Sequence, residues 1–417
     1  MPSAPATLEP LRNRDYRLLF GALAISLTGD GVWLVAIAFQ VIELGGGPVS
    51  LSLVAGSYSV GLIGFVLVGG VAADRLPRRT VMLVCDLIRA GVVVLIGGLS
   101  IAGSLELWQI GVGGFLIGGA EAFFLPSYTG LLPRLLPEHE LLAANGLEGM
   151  LRPLAEFAAG PALGGIAVAL LSPGAAILID GVTFLISAAL LAGIRNLGTA
   201  RREPTESQGL AAGLADLREG AAYVRRTPWL WATLGFAMLA VLALIGPIDV
   251  LTPFAVREQL GGGAAEYGIL LTAFGVGAAV GALGISWRRL PRRYLSWMLL
   301  GWGLGALPVA AIGIVHELWI MVIAMVVVGV TSGIGDVIWG TLLQRRVPDE
   351  LRGRVSSLDW FVSLGLLPLS FALAGPAGEA FGLTAVFIAA ALVPAIVGPV
   401  ALVAGRLRAD EVAHPLD

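Results

Sequence analysis

The chain has no lysine, one cysteine and three histidines in 417 residues. A Walker-type phosphate loop needs a lysine, and no G-x-S-x-G or H-E-x-x-H stretch is present either. These absences argue against ATP hydrolysis within the chain and against a membrane-embedded enzyme. Cys85 alone provides neither a disulfide framework nor a thiolate metal site. His139, His316 and His414 lie far apart in loops or the tail, so no histidine metal centre and no cofactor are expected. Charged residues make up only 13%, and a net charge of −3 is too near neutral to point to nucleic acid.

What is present is apolar helix. Hydrophobic residues make up 57%, mean hydropathy is +0.88, and there are 58 glycines. Crossing a bilayer's hydrocarbon core takes about 20 apolar residues of helix. Twelve stretches of that length occur, at 17–43, 50–73, 80–102, 107–131, 140–169, 174–194, 229–256, 264–287, 294–314, 317–341, 353–378 and 382–405. They divide six and six around a polar loop. The expected organisation is an all-α membrane protein with a six-helix bundle over 1–195, a cytoplasmic linker over 196–228 and a second bundle over 229–417. The first stretch is too long for a cleaved signal and Asp30 interrupts it, so it is expected to remain in the mature protein.

Orientation follows from the arginines. With the N-terminus inside, 23 of the 26 fall in inner loops or tails, Arg257 lies outside, and Arg89 and Arg152 lie within helices. The positive-inside rule then places both termini in the cytoplasm.

The halves resemble each other at an offset of about 211–215 residues. DRLPRRTVML (74–83) pairs with RRLPRRYLSW (288–297), and LLPRLLPEHEL (131–141) with LLQRRVPDEL (342–351). A parallel repeat of this kind predicts two bundles related by an axis along the membrane normal, a midplane cavity between them, and alternating access by rocking.

These residues resemble the major facilitator superfamily. GGVAADRLPRR (69–79) is similar to its signature loop between the second and third helices, with Pro77 where a glycine is usual. The resemblance implies that Gly70, Asp74, Arg75, Arg78 and Arg79 form an inner latch, while Arg288 opposite Asp74 leaves the second copy degenerate. GPALGG (160–165), with Gly160, Pro161, Gly164 and Gly165, is similar to the antiporter motif of drug exporters, although Glu156 replaces an upstream glycine. DLIRA (86–90), IDGVTFLISAALL (179–191) and VPDELRGRVSSL (347–358) resemble the macrolide-efflux and enterobactin-exporter branch. That branch implies a proton-driven exporter of drugs or siderophores in the bacterial cytoplasmic membrane.

Ionisable groups inside spans are costly and mark function by default. Asp30 lies about 20 Å into the first span, near the midplane, among small residues in SLTGDGVW. It is either a proton- or substrate-coupling carboxylate or a packing group hydrogen-bonded to a neighbour. Glu148, Arg152 and Glu156 occupy one arc of about 80° on helix five. Glu121 on helix four lies at a depth similar to that of Arg152, which suggests a Glu121–Arg152 bridge, either a protonation switch or a permanent tie. Asp86 and Arg89, three residues apart, are expected to neutralise one another structurally. Asp336 and Asp359 are expected near Arg345, Arg346, Arg352 and Arg354 in an inner gate network. The stretch 213–226 has the composition of a short amphipathic surface helix. Gly-x-x-x-Gly pairs such as Gly277/Gly281 read as internal packing, and hence a monomer.

The leading reading is a secondary exporter of an amphipathic small molecule in exchange for protons. An importer or symporter, a lipid transporter, and a non-transporting receptor or scaffold are the alternatives.

Overall fold

A computed structural model describes residues 6–195, 219–287 and 290–415. The linker segment 196–218, and Arg288 opposite Asp74, lie outside the described residues. Of the stretch 213–226, residues 219–226 are helical. Among the described residues there is no strand.

Spans α1 (Arg14–Glu43), α2 (Pro48–Arg75), α3 (Arg78–Ile101), α4 (Leu107–Leu135), α5 (Glu138–Leu170) and α6 (Pro173–Ala192) form the first half. The second half runs α7 (Pro228–Leu260), α8 (Ala264–Ser286), α9 (Tyr294–Ile314), α10 (Leu318–Arg346), α11 (Asp349–Gly365), α12 (Leu367–Phe381), α13 (Leu383–Ala404) and a short tail helix α14 (Leu407–Ala413). Eleven of these are long and apolar enough to cross a membrane. The expected span 353–378 is divided at Leu366 into α11 and α12. Pro368 is the cause. It has no N–H to donate, and its ring crowds the carbonyl four residues back. The twelve-segment plan holds, with its eleventh segment broken.

Proline also alters two continuous spans. Ala155–Ala159 in α5 is a π-turn, in which the Gly160 N–H donates to the Ala155 carbonyl ahead of Pro161. Pro247–Leu251 in α7 is a second π-turn. Single π-turns inside helices frequently mark functional sites, and these two contain Glu156 and Asp249.

The chain forms two compact units. The first is Met1–Ala200 with Val256–Gly275, and the second is Arg201–Ala255 with Val276–Asp417. Val256–Gly275 lies beyond the 195/229 boundary read from sequence, yet it packs into the first unit. A Cβ on Gly268 would lie 2.5 Å from the Pro161 carbonyl, and Thr272 donates to the Ala158 carbonyl at 3.0 Å. The first unit's core gathers Tyr16, Leu19, Met82, Phe124 and Leu191. The second unit's core gathers Trp229, Tyr294, Met298, Ile338 and Leu407. Large apolar side chains such as Leu67, Leu170 and Val403 remain exposed, as a lipid-facing surface requires.

Candidate functional site

The first unit holds a charged interior. Asp86 and Arg89 lie mid-way along α3 and are 0% and 2% exposed. Arg89 donates to Glu121 of α4 at 2.5 Å and to Asp86. Asp86 also accepts from the Ser187 hydroxyl of α6 at 2.6 Å. The guanidinium is held between two aromatic faces, Phe124 at 4.5 Å and Phe184 at 4.6 Å. Cation–π contacts at desolvated sites contribute about 2 kcal/mol. One guanidinium atom, Nε, is buried with no hydrogen-bond partner. α3, α4 and α6 are thus tied together by one arginine.

This corrects one expectation and extends another. Glu121 pairs with Arg89, not with Arg152, whose partner is Glu156 one turn along α5 at 2.5 Å. The expected Asp86–Arg89 pair is formed, and Glu121 and Ser187 extend it into a cluster spanning three helices. Depth along each helix was readable from sequence. Rotation about each axis was not, and rotation decides which partner is reached. Applying the depth argument to α3 would have placed Arg89 level with Glu121.

Asp30 of α1 borders this cluster. Arg89, Asp180, Glu121 and Glu156 all lie within its electrostatic range. Asp180 of α6 is buried and accepts from the Thr183 hydroxyl at 3.2 Å. The π-turn and the GPALGG glycines bring α1 onto α5. A Cβ on Gly31 would lie 2.8 Å from the Gly160 Cα, and one on Gly160 would lie 2.5 Å from the Thr28 carbonyl. A Cβ on Gly164 would meet the Val32 Cα at 3.0 Å, and one on Gly165 the Ala264 carbonyl at 2.8 Å. The motif's glycines therefore let helix backbones touch, and that contact sets Asp30 beside Glu156. Nearer the start of α5, Glu148 lies beside Tyr128 and Arg152, with its Oε1 buried and unpartnered.

The signature loop acts through its arginines. Arg78 donates to the Gly130 carbonyl of α4 and to the Ala73 carbonyl at 3.2 Å. Arg79 donates to the Leu191 carbonyl at 2.9 Å and to that of Ala192, at the end of α6. Cations suit the carbonyl-rich ends of helices. Asp74 sits 3.8 Å from Arg78 and is largely exposed, and Arg75 follows it at the end of α2. Gly70 faces open space, while its neighbour Gly69 is the residue pressed against Ala122 of α4.

In the second unit the described partners of the expected gate residues include two tryptophans and two further carboxylates. The Asp336 carboxylate lies against Trp302 and Ser332. Asp359 accepts from the Trp339 indole N–H at 3.1 Å. Arg346 pairs with Asp410 of α14 at 2.5 Å, and Arg354 with Glu219 at 2.5 Å. The Arg352 side chain lies outside the described residues. The tail segment, absent from the sequence reading, supplies a buried carboxylate. Glu411 accepts from the backbone N–H of Ser296 at 3.0 Å and from its hydroxyl at 2.7 Å. Among the described residues no cluster of three metal-ligating side chains occurs.

The family model described as transmembrane secretion effector matches residues 5–414. The chain belongs to the major facilitator superfamily. Among curated relatives of this superfamily member, the multidrug efflux pump Tap of Mycobacterium tuberculosis (strain ATCC 25618 / H37Rv) is 31% identical over 97% of both chains. Macrolide efflux protein A of Streptococcus pyogenes is 23% identical over 89% of this chain and 91% of its own length. Among solved structures, the nucleoside transporter NupG superposes with a TM-score of 0.71 at 12% identity, over 96% of this chain and 100% of its own. A bacterial homologue of the lysosomal transporter Spinster gives 0.70 at 16%, over 96% and 98%. The fold is that of a major facilitator transporter, and the chain is a multi-pass membrane protein.

Proposed function

We propose that this transporter exports an amphipathic, drug-like or siderophore-type small molecule from the bacterial cytoplasm in exchange for protons, by alternating access, with both termini cytoplasmic. The observation that carries the reading is an imbalance of charge. Within the first unit six carboxyl groups (Asp30, Asp86, Glu121, Glu148, Glu156 and Asp180) share two guanidiniums, Arg89 and Arg152. Charge carried inside a membrane span is costly and marks function by default. The surplus carboxyls are therefore the groups through which protons exchange. Asp30 is the coupling residue in this account because it lies within electrostatic range of the cluster from a different helix, at the close α1–α5 contact. The names of the Tap and macrolide relatives support efflux as the direction.

The test uses acidified inside-out vesicles containing the protein, with macrolides, cationic dyes and siderophores added in turn and empty vesicles alongside. A compound that collapses the pH gradient only when the protein is present is the expected result. A compound that binds the purified protein yet never moves the gradient would overturn antiport and bring uptake, lipid movement or sensing forward.

A further inference from the structure

The inner ends of α9 and α13 enclose a groove of about 350 Å³ that the transport chemistry does not use. Leu300, Pro399 and Val403 form its apolar wall, and Arg406 and Arg408 stand at its mouth. We propose that this groove is a binding site for an anionic phospholipid of the inner leaflet, with one acyl chain along the apolar wall and the phosphate on the two guanidiniums.

The depths agree with this placement. α13 has 22 residues, about 33 Å of helix, close to the roughly 30 Å hydrocarbon thickness. Arg406, two residues past its end, therefore falls at headgroup level. Leu300 lies about 9 Å along α9 from its start at Tyr294, deep enough for the first methylenes of a chain.

The arginines are also uncommitted and fixed. Nearby cations are paired, Arg346 with Asp410 and Arg354 with Glu219. Among the described residues Arg406 and Arg408 have no carboxylate partner, and both are exposed. Arg406 has φ +49°, the single positive-φ non-glycine residue described. A side chain rarely takes that conformation unless its surroundings impose it. Here Leu407 is fully buried in the second unit's core, and α14 is anchored by Glu411 on Ser296 and by Asp410 on Arg346. Burying Leu407 turns the preceding residue outward to the groove. Two guanidiniums on a fixed turn suit bidentate contact with phosphate, and basic pockets on the cytoplasmic side of membrane helices recognise acidic headgroups.

The proposal uses the cytoplasmic placement of the C-terminus but not the transport reading, so its test needs no transport. Delipidated, purified full-length protein is titrated with phosphatidylglycerol, with phosphatidylcholine of the same chains, and with inorganic phosphate, and bound lipid is counted by native mass spectrometry. The same titrations are run on R406Q, R408Q, the double variant, and R225Q/R226Q as a surface control. Phosphatidylglycerol is expected to bind about 25-fold more tightly than phosphatidylcholine, with a loss of about fivefold per arginine removed. The control pair should leave binding unchanged. Equal affinity for both lipids, an unaffected double variant, or displacement of phosphatidylglycerol by phosphate alone would each overturn the proposal. If the double variant does not fold, the two single variants decide.

Discussion

The two units place charge differently. In the first, carboxylates and arginines sit mid-helix, where Arg89 ties α3, α4 and α6 through Asp86, Glu121 and Ser187. In the second, ion pairs gather at helix ends, such as Arg346 with Asp410 and Arg354 with Glu219, and its mid-span and gate acids Asp336 and Asp359 rest on indoles. A buried ion pair is poor as a stabiliser, because desolvation offsets most of the attraction, yet breaking it is costly. An interior built that way suits a switch more than a scaffold. Rim pairs and indole contacts suit a unit that keeps its shape.

The largest expected effect is on the charged interior. Arg89→Met leaves the buried Asp86 and the half-buried Glu121 without their cation and should cost about 3–5 kcal/mol, read as a lowered melting point in detergent. Adding Glu121→Gln to that variant should recover part of the loss. If Arg89→Met melts like the parent, the cluster is not holding three helices together.

A smaller effect is expected at the α1–α5 contact. Gly31→Ala would drive a methyl to 2.7 Å from Pro161 Cδ, and overpacking of that kind costs about 1–3 kcal/mol. Gly70→Ala enters open space and should leave the melting point unchanged or slightly raised, since alanine favours helix. Equal effects at the two glycines would contradict the close α1–α5 approach.

The smallest effect belongs to the second unit. In Asp359→Asn the amide oxygen still accepts from Trp339, so stability should change by less than about 1 kcal/mol and substrate-driven proton movement should persist. Loss of coupling in this variant would erase the contrast between the units.

Much of the architecture was legible because bilayer length and the loop repeat are one-dimensional signals. The break at Leu366 was not anticipated, although Pro368 carries its cause. The site was legible in part. Asp30, Glu121, Arg152 and Glu156 declare themselves as charges inside apolar spans, but sequence fixes their depth and not their azimuth. Glu121 was therefore matched to Arg152 when Arg89 is its partner. The arginine-rich stretch after α10 suggested carboxylate gates, and the described partners of Asp336 and Asp359 include Trp302 and Trp339. The role of Glu411 depends on a chain reversal at Arg406 that no local pattern announces.

The central claim is that proton exchange runs through the first unit's carboxyls. The most direct measurement compares Asp30→Asn, Asp336→Asn and the parent protein in acidified inside-out vesicles, at matched protein content and with one transported compound. The account predicts that compound-driven collapse of the pH gradient disappears in Asp30→Asn and survives in Asp336→Asn. Retention in Asp30→Asn, with loss in Asp336→Asn, would contradict it.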